Sequence, residues 1–218
     1  MNRVVFSLVC LFAVGSVARA DHVETRDYTI FIKDKAAGRS SLRIVTKADG
    51  TEEMTGAAEA ATKIAFVSYS YKAETTEIWK DGKLVKLHTA AVEDGKAMTV
   101  SAVSDGKQLL LQIGGKNAGA VNPESWVSSY WKLADKKFHN KQVPIIDSDT
   151  GKEMVGNLKY LGTEPVKVGP KVEDCYLFHV TGIPNDIKLW FDRHHRLVRQ
   201  EFTEKGCHTI IQLDGIKR

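Results

Sequence analysis

Apolar and polar residues alternate along most of this chain. Tyr28, Ile30 and Ile32 alternate with Thr29, Phe31 and Lys33, and Leu42 and Ile44 flank Arg43. Leu84 to Val92, Ala97 to Val103 and Leu109 to Ile113 are further strand-like runs at intervals set by Asp94-Gly95 and Asp105-Gly106, beside the stretches that alternate with a period of two. That period belongs to a strand with one face on a core and the other in water. Ile64 to Trp79 is rich in aromatic and β-branched residues, among them Phe66, Tyr69, Tyr71, Thr75, Ile78 and Trp79, which predicts one long strand or two joined by a bend. Between these runs Asp directly precedes Gly, at Asp49-Gly50, Asp81-Gly82, Asp94-Gly95 and Asp105-Gly106, and once more at Asp214-Gly215. Asp-Gly readily takes the positive φ angles of a tight type I′ turn, so the pattern predicts consecutive hairpins and an antiparallel meander without crossover helices.

The later part of the chain is punctuated differently. All five prolines lie beyond residue 122, where a missing N–H breaks sheet hydrogen bonding. Asn122 before Pro123, Glu124 and Ser125 reads as a helix start, with Asn as cap and Pro at the first helical position. Trp126, Tyr130 and Leu133, widened by Val127, Trp131 and Ala134, recur at helical spacing. The sequence therefore predicts one short helix near 123–137. The expected fold is mainly β: a long curved antiparallel meander, a half-barrel, with that helix near its mouth.

Residues 1–20 read as a secretory signal peptide cleaved after Ala20. Arg3 sits in a short basic head, Val4 to Val14 is apolar, and small residues precede the cut. The apolar run is far below the ~20 residues a helix needs to span a bilayer, so no transmembrane span is expected. Residues 21–218 are expected to form a single domain, since no Ser/Gly/Pro linker divides them and a chain of this size buries roughly 70% of its unfolded surface around one core. Without Arg3 and Arg19, 29 of the 31 basic residues remain against 27 acidic ones. Charges of both signs are interspersed, which excludes the one-faced basic stripe of a nucleic-acid binder. Cys175 and Cys207 remain in an exported chain, where a disulfide is the first guess. In a meander they lie three strands apart at about 4.8 Å per step, against the ~7 Å reach of a bridge, so separate thiols are expected.

Candidate chemistry is sparse. Asp147-Ser148-Asp149-Thr150 follows the apolar Val143 to Ile146 like a phosphotransferase nucleophile, but no strand–helix alternation follows and Asp149-Thr150-Gly151-Lys152 is turn chemistry. His194-His195 fits a hairpin tip better than a metal centre. No nucleophile elbow, phosphate-cradling loop or His-Glu-x-x-His pair occurs. An enzyme would need His88, His179, His194, His195 or His208 to converge with carboxylates in one cleft. No catalytic residues, metal ligands or cofactors are assigned.

Glu77-Ile78-Trp79-Lys80-Asp81-Gly82-Lys83-Leu84, Ser129-Tyr130-Trp131, Asp149-Thr150-Gly151-Lys152 and Leu189-Trp190-Phe191-Asp192 with Arg196-Leu197-Val198-Arg199 together resemble an uncharacterised bacterial secreted family, a domain of unknown function. This chain departs from that pattern with Lys132-Leu133 in place of Asn-Pro and with His195 in place of Gly at the last hairpin tip. By architecture the family is similar to the periplasmic lipoprotein-carrier half-barrels, whose sheet wraps a cavity for acyl chains. The resemblance implies an exported, periplasmic or extracellular, non-catalytic protein binding an apolar, lipid-like ligand or an envelope partner on its concave face. Phe66, Tyr69 and Trp79 are expected beneath and Trp126, Tyr130 and Trp131 at the mouth. The alternative from another class is a structural adaptor that pairs an exposed sheet edge with an envelope protein and has a filled interior.

Overall fold

Tyr28, Ile30 and Ile32 all face the core from the first strand, at 2%, 6% and 5% exposure, so the period of two is realised residue for residue. The computed structural model describes residues 21–64, 67–204 and 206–218; residues 1–20, where a signal peptide is expected, and Phe66 lie outside the described residues. The first run of strands is β1 (His22–Ile32), β2 (Lys35–Thr46), β3 (Glu52–Ile64), β4 (Val67–Lys80), β5 (Lys83–Glu93), β6 (Lys96–Ser104), β7 (Leu109–Ile113) and β8 (Lys116–Val121). The second run is β9 (Trp126–Val127), β10 (Lys141–Ile146), β11 (Glu153–Val168), β12 (Lys171–Thr181), β13 (Ile187–Phe191), β14 (Leu197–Glu204) and β15 (Cys207–Lys217).

All of these strands join one large, curved, open sheet in the order β8-β7-β6-β5-β4-β3-β2-β1-β15-β14-β13-β12-β11-β10-β9. Each half is a meander, and β1 meets β15 antiparallel in the middle. The two ends of the sheet are β8 and β9, yet Val121 and Trp126 are only five residues apart in sequence. Five residues reach at most about 18 Å, so the sheet has to curl until its ends approach. Core packing agrees with this closure: Val121 and Leu109 from one end share a cluster with Val127 and Ile146 from the other.

The turns follow backbone chemistry. Asp81-Gly82 and Asp94-Gly95 form two-residue hairpins with φ of 50° and 74°, and 47° and 78°. Asp49-Gly50 and Asp105-Gly106 serve longer turns, closed by Lys47 N–H to the Thr51 carbonyl and Asp105 N–H to the Gln108 carbonyl. Asp214-Gly215 is no hairpin. Asp27 faces Gly215 and Tyr28 faces Leu213, leaving Asp214 as the extra residue of a bulge inside β15. The β1–β2 hairpin turns instead on Lys33-Asp34, with φ of 49° and 63°.

The helix expected near 123–137 does not form; the segment holds β9, turns and a short 3₁₀ turn over Lys136–Phe138. Asn122 spends its side chain on a turn, accepting from Glu124 N–H. Trp126 and Val127 pair parallel with Ile145 and Ile146, and Tyr130 takes a φ of 47° that no right-handed helix accommodates. The aromatic positions, expected at the mouth, are buried in the core, and strand pairing and specific polar partners outcompete a lone helix.

Cys175 on β12 and Cys207 on β15 are both free thiols, separated by β13 and β14. Burial pushes the Cys175 thiol up to about 12. A buried ionic cluster closes the middle of the sheet. Glu24 accepts from Arg26 (2.7 Å) and Arg196 (3.0 Å), Arg196 also pairs with Asp192 (2.6 Å), and Arg26 donates to the Trp131 carbonyl. Burial alone would raise the Glu24 carboxyl, but hydrogen bonds and charge from Arg26 and Arg196 hold it below its ordinary 4.5. A carboxyl depressed in the fold contributes stability above its ordinary value, and that contribution is lost as pH falls through the folded value. Urea midpoints measured below pH 4.5 should therefore drop more steeply for the natural protein than for Glu24→Gln; equal slopes would remove Glu24 from the acid limb.

Candidate binding cavity

Small residues standing in register across three strands hollow out the concave side of the sheet. Ser40 on β2 faces Ala58 on β3, which faces Ala73 on β4. One row away, Leu42 faces Gly56 and Gly56 faces Thr75. A Cβ on Gly56 would come within 2.7 Å of a terminal methyl of Leu42, so glycine lets Leu42 lie across the strand without moving aside. These short side chains leave a cavity of about 520 Å³, within the range of about 300–1,000 Å³ typical of small-molecule sites. Ile30, Ile32, Ala60, Phe202 and Ile211 are among its apolar lining.

One wall is polar. The turn 147–152, between β10 and β11, crosses the interior towards β4. Tyr71 donates its hydroxyl to Asp149 Oδ2 at 2.7 Å, Ser148 donates to Asp149 Oδ1 at 3.2 Å, and Ser128 Oγ accepts from Ser148 N–H at 2.9 Å. All four residues line the cavity. Burial, more than any neighbour, raises the Asp149 carboxyl, against the Tyr71 hydrogen bond that lowers it. Burial likewise raises the Tyr71 hydroxyl, with the Asp149 charge adding to the effect.

Of the aromatic residues expected at the site, Tyr69 lines this cavity. Trp79, Trp126, Tyr130 and Trp131 do not line it; they are buried in the packed core at 5%, 4%, 1% and 2% exposure. Trp79 and Trp131 direct their indole N–H groups to one oxygen of Glu77, at 2.7 and 2.9 Å, while Ser129 donates to the other. Burial raises this fully enclosed carboxyl above its ordinary range against those three donors. Lys132 Nζ sits over the Trp79 ring at 4.3 Å and bonds Glu52 at 2.6 Å. Trp126 stacks edge-on with Tyr130 at 4.6 Å and donates to the Lys132 carbonyl. Trp79 and Trp126 instead edge a smaller hollow of about 150 Å³.

The histidines stay apart. His194 and His195 occupy the β13–β14 tip, with His195 in the left-handed region at φ 60°. His208 meets Glu201 at 2.8 Å and His88 meets Ser101 at 2.9 Å. Among the described residues no group of three or more His, Cys, Asp or Glu is placed to hold a metal ion. No described helix is long and apolar enough to cross a membrane.

A family model described as Domain of unknown function (DUF6134) matches residues 28–213. The chain belongs to this DUF6134 family. The match begins and ends on Tyr28 and Leu213, which face each other where β1 meets β15, so the family's segment closes on itself within the sheet. No curated protein matches the chain. Among solved structures this DUF6134 chain is similar to a β-barrel-like protein of Domain of Unknown Function DUF1849 from Brucella abortus. Identity is 9%, TM-score 0.66, with 89% of this chain and 97% of that chain covered. At that identity the likeness speaks for the fold alone. A DUF1329 family protein from Desulfovibrio piger, 12% identical over 90% of this chain and 85% of that chain, superposes with a TM-score of 0.19 and carries no argument.

Sequence reasoning missed Ser40, Gly56, Ala58, Ala73 and Asp149 as lining residues. A signal existed in Gly56-Ala57-Ala58-Glu59-Ala60-Ala61, a strand-length run of residue types that strands disfavour. Such a run inside a meander marks a place where the interior is left open.

Proposed function

We propose that this is an exported, non-catalytic binding protein that holds an apolar, lipid-like ligand on the concave face of its sheet. The observation that carries the reading is the cavity of about 520 Å³ behind the small residues of β2, β3 and β4. A protein interior normally packs without voids of this size, so a hollow walled by Ile30, Ile32, Ala60, Phe202 and Ile211 is what a guest with an apolar body would fill. The basic head and apolar run of residues 1–20 support export, and the likeness in architecture to lipoprotein-carrier half-barrels supports an acyl chain as guest. An open interior also weighs against the adaptor reading. The free edge β8 does so too, because its ladder with β7 is broken by a register shift beside Gly119 (φ 103°), and bulges blunt an edge against strand addition.

The test is a titration with Nile red, a neutral dye that brightens in apolar surroundings. Saturable brightening is expected for the natural protein. Ala58→Trp places a large ring between Ser40 and Ala73 and should weaken the dye by about tenfold, roughly 1.4 kcal/mol, while the far-ultraviolet spectrum stays that of a sheet. Equal dye affinity in both proteins would sink the cavity as the binding site.

A further inference from the structure

Asp149 is half-buried on the cavity wall, and it differs from the buried carboxyls Glu24, Glu77 and Asp192 in what faces it. Glu24 and Asp192 pair with arginines. Glu77 takes three donors and feels the charge of Lys132. Asp149 receives only neutral hydroxyls, from Tyr71 and Ser148, and no basic side chain among the described residues forms an ion pair with it. Enclosed charges in proteins are paired or neutralised. The side on which a counter-charge has room is the cavity that Asp149 lines.

Resting on the reading that the cavity binds a ligand, we propose that its occupant is a single-chain amphiphile with a cationic, ammonium-type head, the head meeting Asp149 and the chain lying along the apolar wall. An ammonium presents three donors and no acceptor. The wall answers with the Asp149 carboxylate and with the hydroxyl oxygens of Ser128, Ser148 and Tyr71, which can turn to accept. A carboxylate head would bring acceptor against acceptor. The burial that raises the Asp149 carboxyl reflects the same uncompensated position, which a bound cation would relieve.

The test uses decylammonium, decanol and decanoate, which share one chain and differ in head charge, titrated calorimetrically into the protein below their micelle concentrations. Decylammonium is expected to bind about tenfold more tightly than decanol, with decanoate weakest, and added salt should narrow the gap. On Asp149→Asn, decylammonium should fall to the affinity that decanol shows on that same variant. The ranking on the natural protein tests the idea even where the variant fails to fold. Equal binding of all three, or tightest binding of decanoate, overturns the cationic head while leaving the apolar cavity in place. Binding of none of them overturns both.

Discussion

Glu77→Ala is expected to lower stability by about 4 kcal/mol, since each enclosed donor left without its acceptor costs roughly 1–3 kcal/mol. The indole N–H groups of Trp79 and Trp131 and the Ser129 hydroxyl all converge on this one carboxylate, whose residue is 0% exposed. Alanine offers no acceptor and admits no bulk water. In a domain of this size such a loss lowers the thermal midpoint on the order of 10 °C. Glu77→Gln should cost far less. Its carbonyl oxygen can take the place of the oxygen that accepts both indoles, and the amide can donate to Ser129, whose hydroxyl rotates to accept. A midpoint in Glu77→Ala no lower than in Glu77→Gln would show that the three donors find other acceptors. Because Ser129 and Trp131 belong to the segment between β9 and β10, and Glu77 and Trp79 to β4, this carboxylate pins the segment after β9, at one end of the sheet, to a strand inside the first run. Loss of the pin should also shift tryptophan emission to the red before global unfolding.

The second large effect is expected at Asp192. Asp192→Ala should destabilise by about 3 kcal/mol, the scale for removing one partner of an enclosed ion pair. Asp192 Oδ1 accepts from the backbone N–H of His194 and of Arg196, and Oδ2 accepts from the Arg196 guanidinium. The side chain thus shapes the β13–β14 turn and neutralises its arginine at once. Asp192→Asn keeps an acceptor for the turn but loses the charge, and should fall between. The double variant Asp192→Ala with Arg196→Met should cost less than the sum of its parts, because the Asp192–Arg196 contact is then lost once and not twice, while Glu24 keeps Arg26. Additive losses in urea denaturation would mean that the two residues act independently.

Glu77 and Asp192 also show how far the chain can be read unaided. Both lie in the stretches that carry the family resemblance, Glu77-Ile78-Trp79 and Trp190-Phe191-Asp192, yet their alternation alone marked them only as ends of strands. What each contacts lies elsewhere in sequence: Trp131 is 54 residues from Glu77. Two-residue Asp-Gly turns were legible because φ preference is local. Asp214-Gly215 misled because a bulge and a turn ask for the same backbone freedom, and Lys33-Asp34 was missed because the flanking strands force left-handed angles on residues that seldom choose them. The aromatic run Trp126 to Trp131, expected on a helix at the mouth, lies instead in the packed core on β9 and the turns after it. Its spacing fixes which residues meet the core, whereas parallel pairing with β10 and the Glu77 acceptor fix the path of the chain between them.

The sequence by itself determined that this protein is a meander of long antiparallel strands with one apolar face, because alternation and turn chemistry act over a few residues. Only the tertiary structure decided that β1 and β15 join in mid-sheet, that the conspicuous tryptophans are core, and that the open space lies instead behind Ser40, Ala58 and Ala73. A cavity is a property of what is absent across several strands at once, and register between distant segments, not local pattern, sets which small side chains stand side by side.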